Sequence, residues 1–249
     1  MIHFVGAGPG APDLITVRAM RLIEEADVII YAGSLVNPQL LEYAKNSPEV
    51  YNSATMTLEQ VMDIMLTSDA EGKNVVRLHT GDQSIYGAVR EQMDILDENK
   101  RSYDSTPGVS ACFAAAASLD IEYTLPGISQ TLIITRMEGR TKVPDKESIE
   151  KLASHGASLA IYLSSGMIEE LSGRLIAGGI SGDTAAAIVY KASWPEEKKC
   201  ICTVSTLAGA AKENNITKTA VILVGDVITH ASYERSKLYD PDFTTEFRK

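Results

Sequence analysis

Cysteine, histidine and positive charge are all scarce in this chain, and each scarcity excludes something. The cysteines Cys112, Cys200 and Cys202 are odd in number, and Cys200-Ile201-Cys202 has neither the two-residue gap nor the second ligand pair of a zinc site. They read as reduced, structural thiols of a cytoplasmic protein. The four histidines, His3, His79, His155 and His230, are dispersed without HExxH or HxH spacing, so no metal site is expected. Lys and Arg number 23 against 33 Asp and Glu, a net charge of −10. That balance argues against a general affinity for nucleic-acid phosphates and leaves room only for a local basic pocket. No apolar run approaches the ~20 residues that span a bilayer, and the chain turns apolar directly after Met1 with no charged n-region. A soluble, unprocessed protein with no membrane or nucleic-acid partner is expected.

What is present is a hydrophobic content of 45% over 249 residues, enough for one large α/β domain or two small ones. Short β-rich apolar runs alternate with longer segments of helical period, the pattern of a mostly parallel sheet with helical crossovers. In the first half, strands are expected at 2–5, 28–31, 75–78 and 103–106. The helix after the first strand carries Leu14, Val17, Leu22, Ile23 and Ala26 on one face. Thr57 and Gln60 form a capping box for a helix reaching about residue 68. A third helix is expected over 88–99, burying Val89, Met93 and Leu96, and an alanine-rich one over 110–119. Between 120 and 129 the pattern loosens at Pro126 and Gly127, which suggests two domains, 1–122 and 123–249. Beyond it, strands are expected at 132–135, 159–162, 186–189 and 220–224, with another at 199–204 after a reversal at Pro195-Glu196-Glu197. Helices are expected over 146–154 with Asp145 as N-cap, 167–177 and 207–214, and the charged tail from His230 should cover a surface.

Three loops carry the chemistry. Gly6-Ala7-Gly8-Pro9-Gly10-Ala11 follows a strand and loosely satisfies a dinucleotide fingerprint. Pro9, Pro12 and Asp13 postpone the helix, however, and the second strand ends in Tyr31-Ala32 without a carboxylate for a ribose. The readings that stay open are a nicotinamide or flavin turn, a purely structural turn, and a backbone wall for another nucleotide-like cofactor. The second loop, His79 to Gly87, leaves a strand where open α/β sheets bind ligands. Its Asp82 either caps the following helix or, with the loop amides, holds an amino-acid ligand. The third, Thr106-Pro107-Gly108-Val109-Ser110-Ala111, places Ser110 as an N-cap, a role compatible with a ligand contact.

Together with these loops, the segments YAGSLV from Tyr31, TLPGISQT from Thr124 and KASWPEE from Lys191 stand in an order and spacing that resemble the tetrapyrrole methylase family, from Met1 to about Thr229. The SLV, SQT and ASWP elements resemble the branch that methylates C11 of precorrin-4 or its cobalt complex more than the C20 and C17 branches. Many members of the wider family have Asp where Ala11 stands and Pro where Gln83 stands, so contacts from those positions are not carried over.

The resemblance implies two α/β domains facing each other across a cleft, a fold distinct from Rossmann methyltransferases, and S-adenosyl-L-methionine as cofactor. It implies cofactor contacts from Pro9, Thr80, Gly81, Asp82, Ile85, Ser110, Ala111, Met167 and Ala192. Read without it, Met167 is a core residue at a helix start and Ala192 a small residue at a strand end. It also implies a tetrapyrrole substrate, whose carboxylates Arg90, Arg136 and Arg140 are placed to meet; an ordinary surface ion pair is the alternative for each. The implied assembly is a homodimer, and no catalytic base is nominated. Another precorrin or uroporphyrinogen III methyltransferase, a sibling methylase of the same fold, and a non-catalytic nucleotide-binding module are the competing functions.

Overall fold

A computed structural model of the protein describes residues 1–229, 233–240, 243–244 and 246, so His230 lies outside the described residues. Two compact units emerge, Met1–Ala114 with Lys191–Pro195, and Ala115–Tyr190 with Glu196–Lys249. The cut precedes the expected 122/123 boundary. The segment after it packs within the second unit, where the Ser158 hydroxyl donates to the Tyr123 carbonyl at 2.8 Å and Glu234 N donates to Pro126 O at 3.0 Å.

The first unit contains β1 (Ile2–Gly6), α1 (Val17–Glu25), β2 (Val28–Tyr31), β3 (Glu49–Asn52), α2 (Leu58–Ala70), β4 (Val75–His79), α3 (Arg90–Glu98), β5 (Tyr103–Thr106) and the start of α4 (Ala111–Ser118). Its sheet has the order β3-β2-β4-β1-β5, and every pairing is parallel. Because side chains alternate across a strand, Val5, Ile29, Val76 and Leu78 pack against Ala19 and Ile23 of α1, while Ile2, Phe4, Ile30 and Val75 pack against α2 and α3. Burial on both faces explains why these strands read as continuous apolar runs. The capping box of α2 is present: Gln60 N donates to Thr57 Oγ1 at 3.3 Å and Thr57 N donates to Gln60 Oε1 at 2.9 Å.

Several expectations needed correction. The edge strand β3 was not anticipated; three of its four residues are exposed, so it lacks the apolar signal of its neighbours. The α1 face is narrower than expected, because Leu14 sits in a separate 3₁₀ turn and Val17 is 60% exposed next to the Thr16 cap, leaving Ala19 and Ile23 as its buried residues. Leu96 is buried as expected, whereas Val89 and Met93 are only partly buried, and α3 also buries Gln92.

The second unit contains the remainder of α4, β6 (Leu132–Arg136), α5 (Ile149–Ala153), β7 (Ser158–Tyr162), α6 (Ile168–Ala177), β8 (Ala185–Tyr190), β9 (Lys198–Thr203), α7 (Leu207–Glu213) and β10 (Ala220–Val224). The order is β6-β7-β10-β8-β9, and only β6 with β7 is parallel. The expected mostly parallel sheet therefore fails in this half. The short link from Tyr190 to Lys198 reverses the chain directly, whereas a parallel return needs a crossover of about a dozen residues or more. Asp145 is not the cap of α5. It lies in a 3₁₀ turn, and the Ser148 side chain accepts from Lys151 N at 3.5 Å instead. The core joins Leu159, Ile161, Leu171, Leu175, Ile188, Leu207 and Ile222.

Candidate functional site

A parallel sheet sends all its strands out at one end, so the three glycine loops of the first unit leave β1, β4 and β5 side by side. They touch through backbone. Ala7 N donates to His79 O at 2.7 Å, Gly8 N donates to Gly81 O at 3.1 Å, and Gly81 N returns a bond to Gly8 O at 2.8 Å. A Cβ on Gly108 would stand 2.1 Å from Gly81 O and 2.8 Å from Gly6 Cα, so only glycine permits this approach.

Asp82 ties the second loop to the third. Its Oδ2 accepts from Gly108 N at 2.9 Å, while Oδ1 accepts from Ser84 N at 2.8 Å and from the Ser84 hydroxyl. Burial works to raise its pKa, but the bonds from the Ser84 hydroxyl and the Gly108 and Ser84 amides outweigh burial and hold it below the ordinary value. The carboxylate acts between loops, beyond the two alternatives read from sequence. Thr80 donates its hydroxyl to Leu35 O at 2.9 Å, Ile85 N donates to Asp82 O at 3.2 Å, and buried Ser110 precedes α4, its Cα near the Gly81 backbone. Gln83 is buried and donates Nε2 to Thr106 O at 3.1 Å.

Next to these loops, His79 is buried and stacked on Phe4 with ring centroids 6.1 Å apart. Desolvation, reinforced by the Arg77 charge, pushes its pKa down to about 3, so the ring is neutral near pH 7, and its Nε2 has no hydrogen-bond partner among the described residues. Arg77 itself is buried, donating to Gln92 Oε1 at 3.1 Å and Ile30 O at 3.1 Å, and burial lowers its pKa to about 10.

The segment Lys191–Pro195, remote in sequence, belongs to the same unit. Ala192 is buried there between Lys191 and Ser193, which have φ of 47° and 68°. Ser193 Oγ accepts from Ala11 N at 3.0 Å, and Trp194 Nε1 donates to Pro9 O at 2.9 Å. Buried Asn37 donates to Gly10 O at 2.9 Å. The structure therefore gathers Pro9, Thr80, Gly81, Asp82, Ile85, Ser110, Ala111 and Ala192 in one unit. Sequence reasoning passed over Asn37, Ser193 and Trp194. The signal for the last two lay in KASWPEE, from which only Ala192 was taken.

Met167 lies in the second unit at the start of α6, its amide donating to Ser164 O at 3.0 Å and its Cε 3.7 Å from a Cβ built on Gly139. The arginines differ. Arg136 donates to Met137 O at 3.0 Å, Thr141 O at 3.2 Å and Lys142 O at 3.1 Å, bracing the loop that carries exposed Arg140. Arg90, in the first unit, pairs with Asp94 at 2.6 Å and Asp97 at 2.8 Å, and the carboxylates raise its pKa further.

Cys200 and Cys202 lie on β9 and pack toward the core; burial raises both thiol pKa values, that of Cys202 to about 11. They are protonated near pH 7, and neither is in a disulfide. No helix among the described residues is long and apolar enough to cross a membrane.

Glycine loops converging at the carboxyl ends of a parallel sheet, in a chain with a second, mixed sheet, define an α/β protein built to hold a small organic ligand. The family model for Tetrapyrrole (Corrin/Porphyrin) Methylases matches residues 1–208. The cobalt-precorrin-4 C(11)-methyltransferase of Methanocaldococcus jannaschii is 53% identical over 248 residues, covering 100% of this chain and 96% of the relative. The precorrin-4 C(11)-methyltransferase of Pseudomonas aeruginosa is 42% identical over 238 residues, covering 96% and 94%. The X-ray structure of a cobalamin biosynthetic enzyme, cobalt precorrin-4 methyltransferase, superposes with a TM-score of 0.89 at 44% identity, covering 91% of this chain and 95% of that one. The chain belongs to the tetrapyrrole methylase family.

Proposed function

We propose that this protein is an S-adenosyl-L-methionine-dependent C-methyltransferase of corrin biosynthesis that methylates C11 of precorrin-4 or of cobalt-precorrin-4. The observation that carries this reading is end-to-end similarity, at 53% identity, to a protein bearing that activity in its name. The donor set fits the cofactor. Loop amides and carbonyls suit an amino-acid end and ribose hydroxyls, while exposed Leu35, Tyr86 and Phe113 adjoin the loops and suit an apolar base and thioether.

By the resemblance, Pro9, Thr80, Gly81, Asp82, Ile85, Ser110, Ala111, Met167 and Ala192 would hold the cofactor. When bound, it supplies a methyl group made electrophilic by its sulfonium. The protein's own task is orientation, which contributes on the order of 7–11 kcal/mol to such reactions. Asp82 serves by fixing the third loop against the second. His79 is the neutral imidazole near pH 7, and no side chain is assigned as a base. Exposed Arg140 is the cation offered to the substrate carboxylates, Arg136 shapes the loop that presents it, and Arg90 adds positive charge already shared with two aspartates. The resemblance extends to a cytoplasmic homodimer, which sedimentation tests.

The deciding experiment incubates the protein with methyl-labelled cofactor and with precorrin-4 either metal-free or cobalt-bound, then locates the new methyl by NMR. Transfer to C11 of one of them is the expected result. A methyl at another ring position moves the chain to a sibling activity, and S-adenosylhomocysteine binding without any transfer leaves a binding module.

A further inference from the structure

The connection between β8 and β9 is longer than its topology needs. Tyr190 and Lys198 are paired in the antiparallel ladder, and a reversal of that kind takes as few as two residues. Here residues 191–197 intervene, and the first five belong with the first unit. Lys191 and Ser193 adopt left-handed φ without being glycine, a conformation that persists only where surrounding contacts over-determine it.

Those contacts converge on one stretch of the first loop. The Pro9 carbonyl accepts the Trp194 indole N–H at 2.9 Å, the Gly10 carbonyl accepts from Asn37 at 2.9 Å, and the Ala11 amide donates to Ser193 Oγ at 3.0 Å. Three successive backbone residues are thus bound by side chains. The indole also lies against Gly10 so closely that an added Cβ would stand 2.1 Å from its Cδ1. Trp194 is held in turn, its amide donating to Lys191 O at 3.0 Å and the Lys191 ammonium lying 4.9 Å from the ring centroid. Pro9-Gly10-Ala11 lies in no helix or strand, so these side-chain bonds already supply the ordering that ligand binding would otherwise require.

We infer that Lys191–Pro195 is a clasp that holds the first glycine loop in its ligand-binding conformation, with Trp194 as its positioning residue. The inference rests on the reading above that this loop meets S-adenosylmethionine. It assigns Trp194 no contact with the cofactor or the reacting atoms. Because Trp194 is the sole tryptophan of the chain, its fluorescence reports on the clasp alone.

The test compares the full-length protein with Trp194→Phe, Trp194→Ala and Ser193→Ala, measuring S-adenosylhomocysteine affinity by calorimetry, ligand-free melting, and KM and kcat with the tetrapyrrole. Trp194→Ala should weaken the homologue about tenfold or more, and Trp194→Phe, which keeps the ring but loses the N–H donor, about three- to tenfold. Ser193→Ala should weaken it similarly to the phenylalanine variant. Cofactor KM should rise in step while kcat at saturating cofactor and tetrapyrrole KM stay near the parent's, and indole emission of the parent should stay near its ligand-free value on saturation. Affinity equal to the parent's in both tryptophan variants overturns the clasp. So does a loss of affinity that follows melting alone, with kcat falling in the phenylalanine variant. If the parent itself binds no S-adenosylhomocysteine, the assignment of the loop fails, and the clasp falls with it.

Discussion

The two units differ in how their strands run, and the difference decides where chemistry gathers. In the first, five parallel strands deliver the loops after β1, β4 and β5 to a single end, where eight of the nine proposed cofactor residues lie. In the second, antiparallel β8, β9 and β10 send their connections to both ends, and the proposed contributions are Met167, Arg136 and Arg140. Core polarity differs too. Among the described residues, the first unit buries Asn37, Arg77, His79, Gln83 and Gln92, whereas the polar residues buried in the second are serines and a threonine. A large buried polar side chain is tolerated where strand backbone supplies partners, as Ile30 O does for Arg77 and Thr106 O for Gln83. The general lesson is that parallel topology concentrates loops, and concentrated loops need polar support beneath them.

The comparison breaks most sharply at its glycines. Gly108→Ala drives a Cβ into the Gly81 carbonyl and the Gly6 backbone, neither of which has room to retreat. A stability loss of about 3 kcal/mol and loss of S-adenosylhomocysteine binding are expected, read by urea unfolding and calorimetry. Parent-like behaviour would show that the loops do not depend on this contact.

A smaller effect is expected at Asp82. Asp82→Ala removes the tie to Gly108 and should weaken S-adenosylhomocysteine by more than about tenfold while costing about 1–2 kcal/mol of stability. Its carboxyl pKa is depressed in the folded state, so the contribution is complete above the ordinary value of 3.8 and lost as pH falls through the folded value. Parent stability should thus carry an acid limb below pH 3.8 that the variant lacks; urea midpoints across this range check it.

The second unit offers a split between neighbouring arginines. Arg140→Ala should raise the tetrapyrrole KM about tenfold with cofactor affinity unchanged, the loss of one charge-assisted hydrogen bond. Arg136→Ala frees three carbonyls and should also lower stability, by about 1 kcal/mol, because it braces residues 137–142. Steady-state kinetics with a melting curve separates them, and identical behaviour would erase the distinction. The smallest change is the mirror of Gly108. A Cβ on Gly173 within α6 meets nothing within 4 Å, so Gly173→Ala should stabilise the protein by about 0.5–1 kcal/mol and leave binding untouched.

Much of this was legible in one dimension because local physics repeats along the chain. Strands buried on both faces announced themselves as apolar runs, the Thr57 and Gln60 pair marked the start of α2, and the glycine loops stood at strand ends where an α/β sheet puts its ligands. Edge strand β3 stayed hidden because exposed residues carry no burial signal, and the Asp145 cap was misplaced because Ser148, three residues on, offers the same chemistry. Sequence by itself determined the class of fold, the family and the candidate residues. Only tertiary structure decided what those residues do: that Asp82 grips Gly108, that Arg136 faces its own loop, and that Trp194, 185 residues from Pro9, donates to its carbonyl. The reason is that propensity and hydrophobic period are set by near neighbours, whereas the partner of a hydrogen bond is chosen by whichever groups folding brings within about 3 Å.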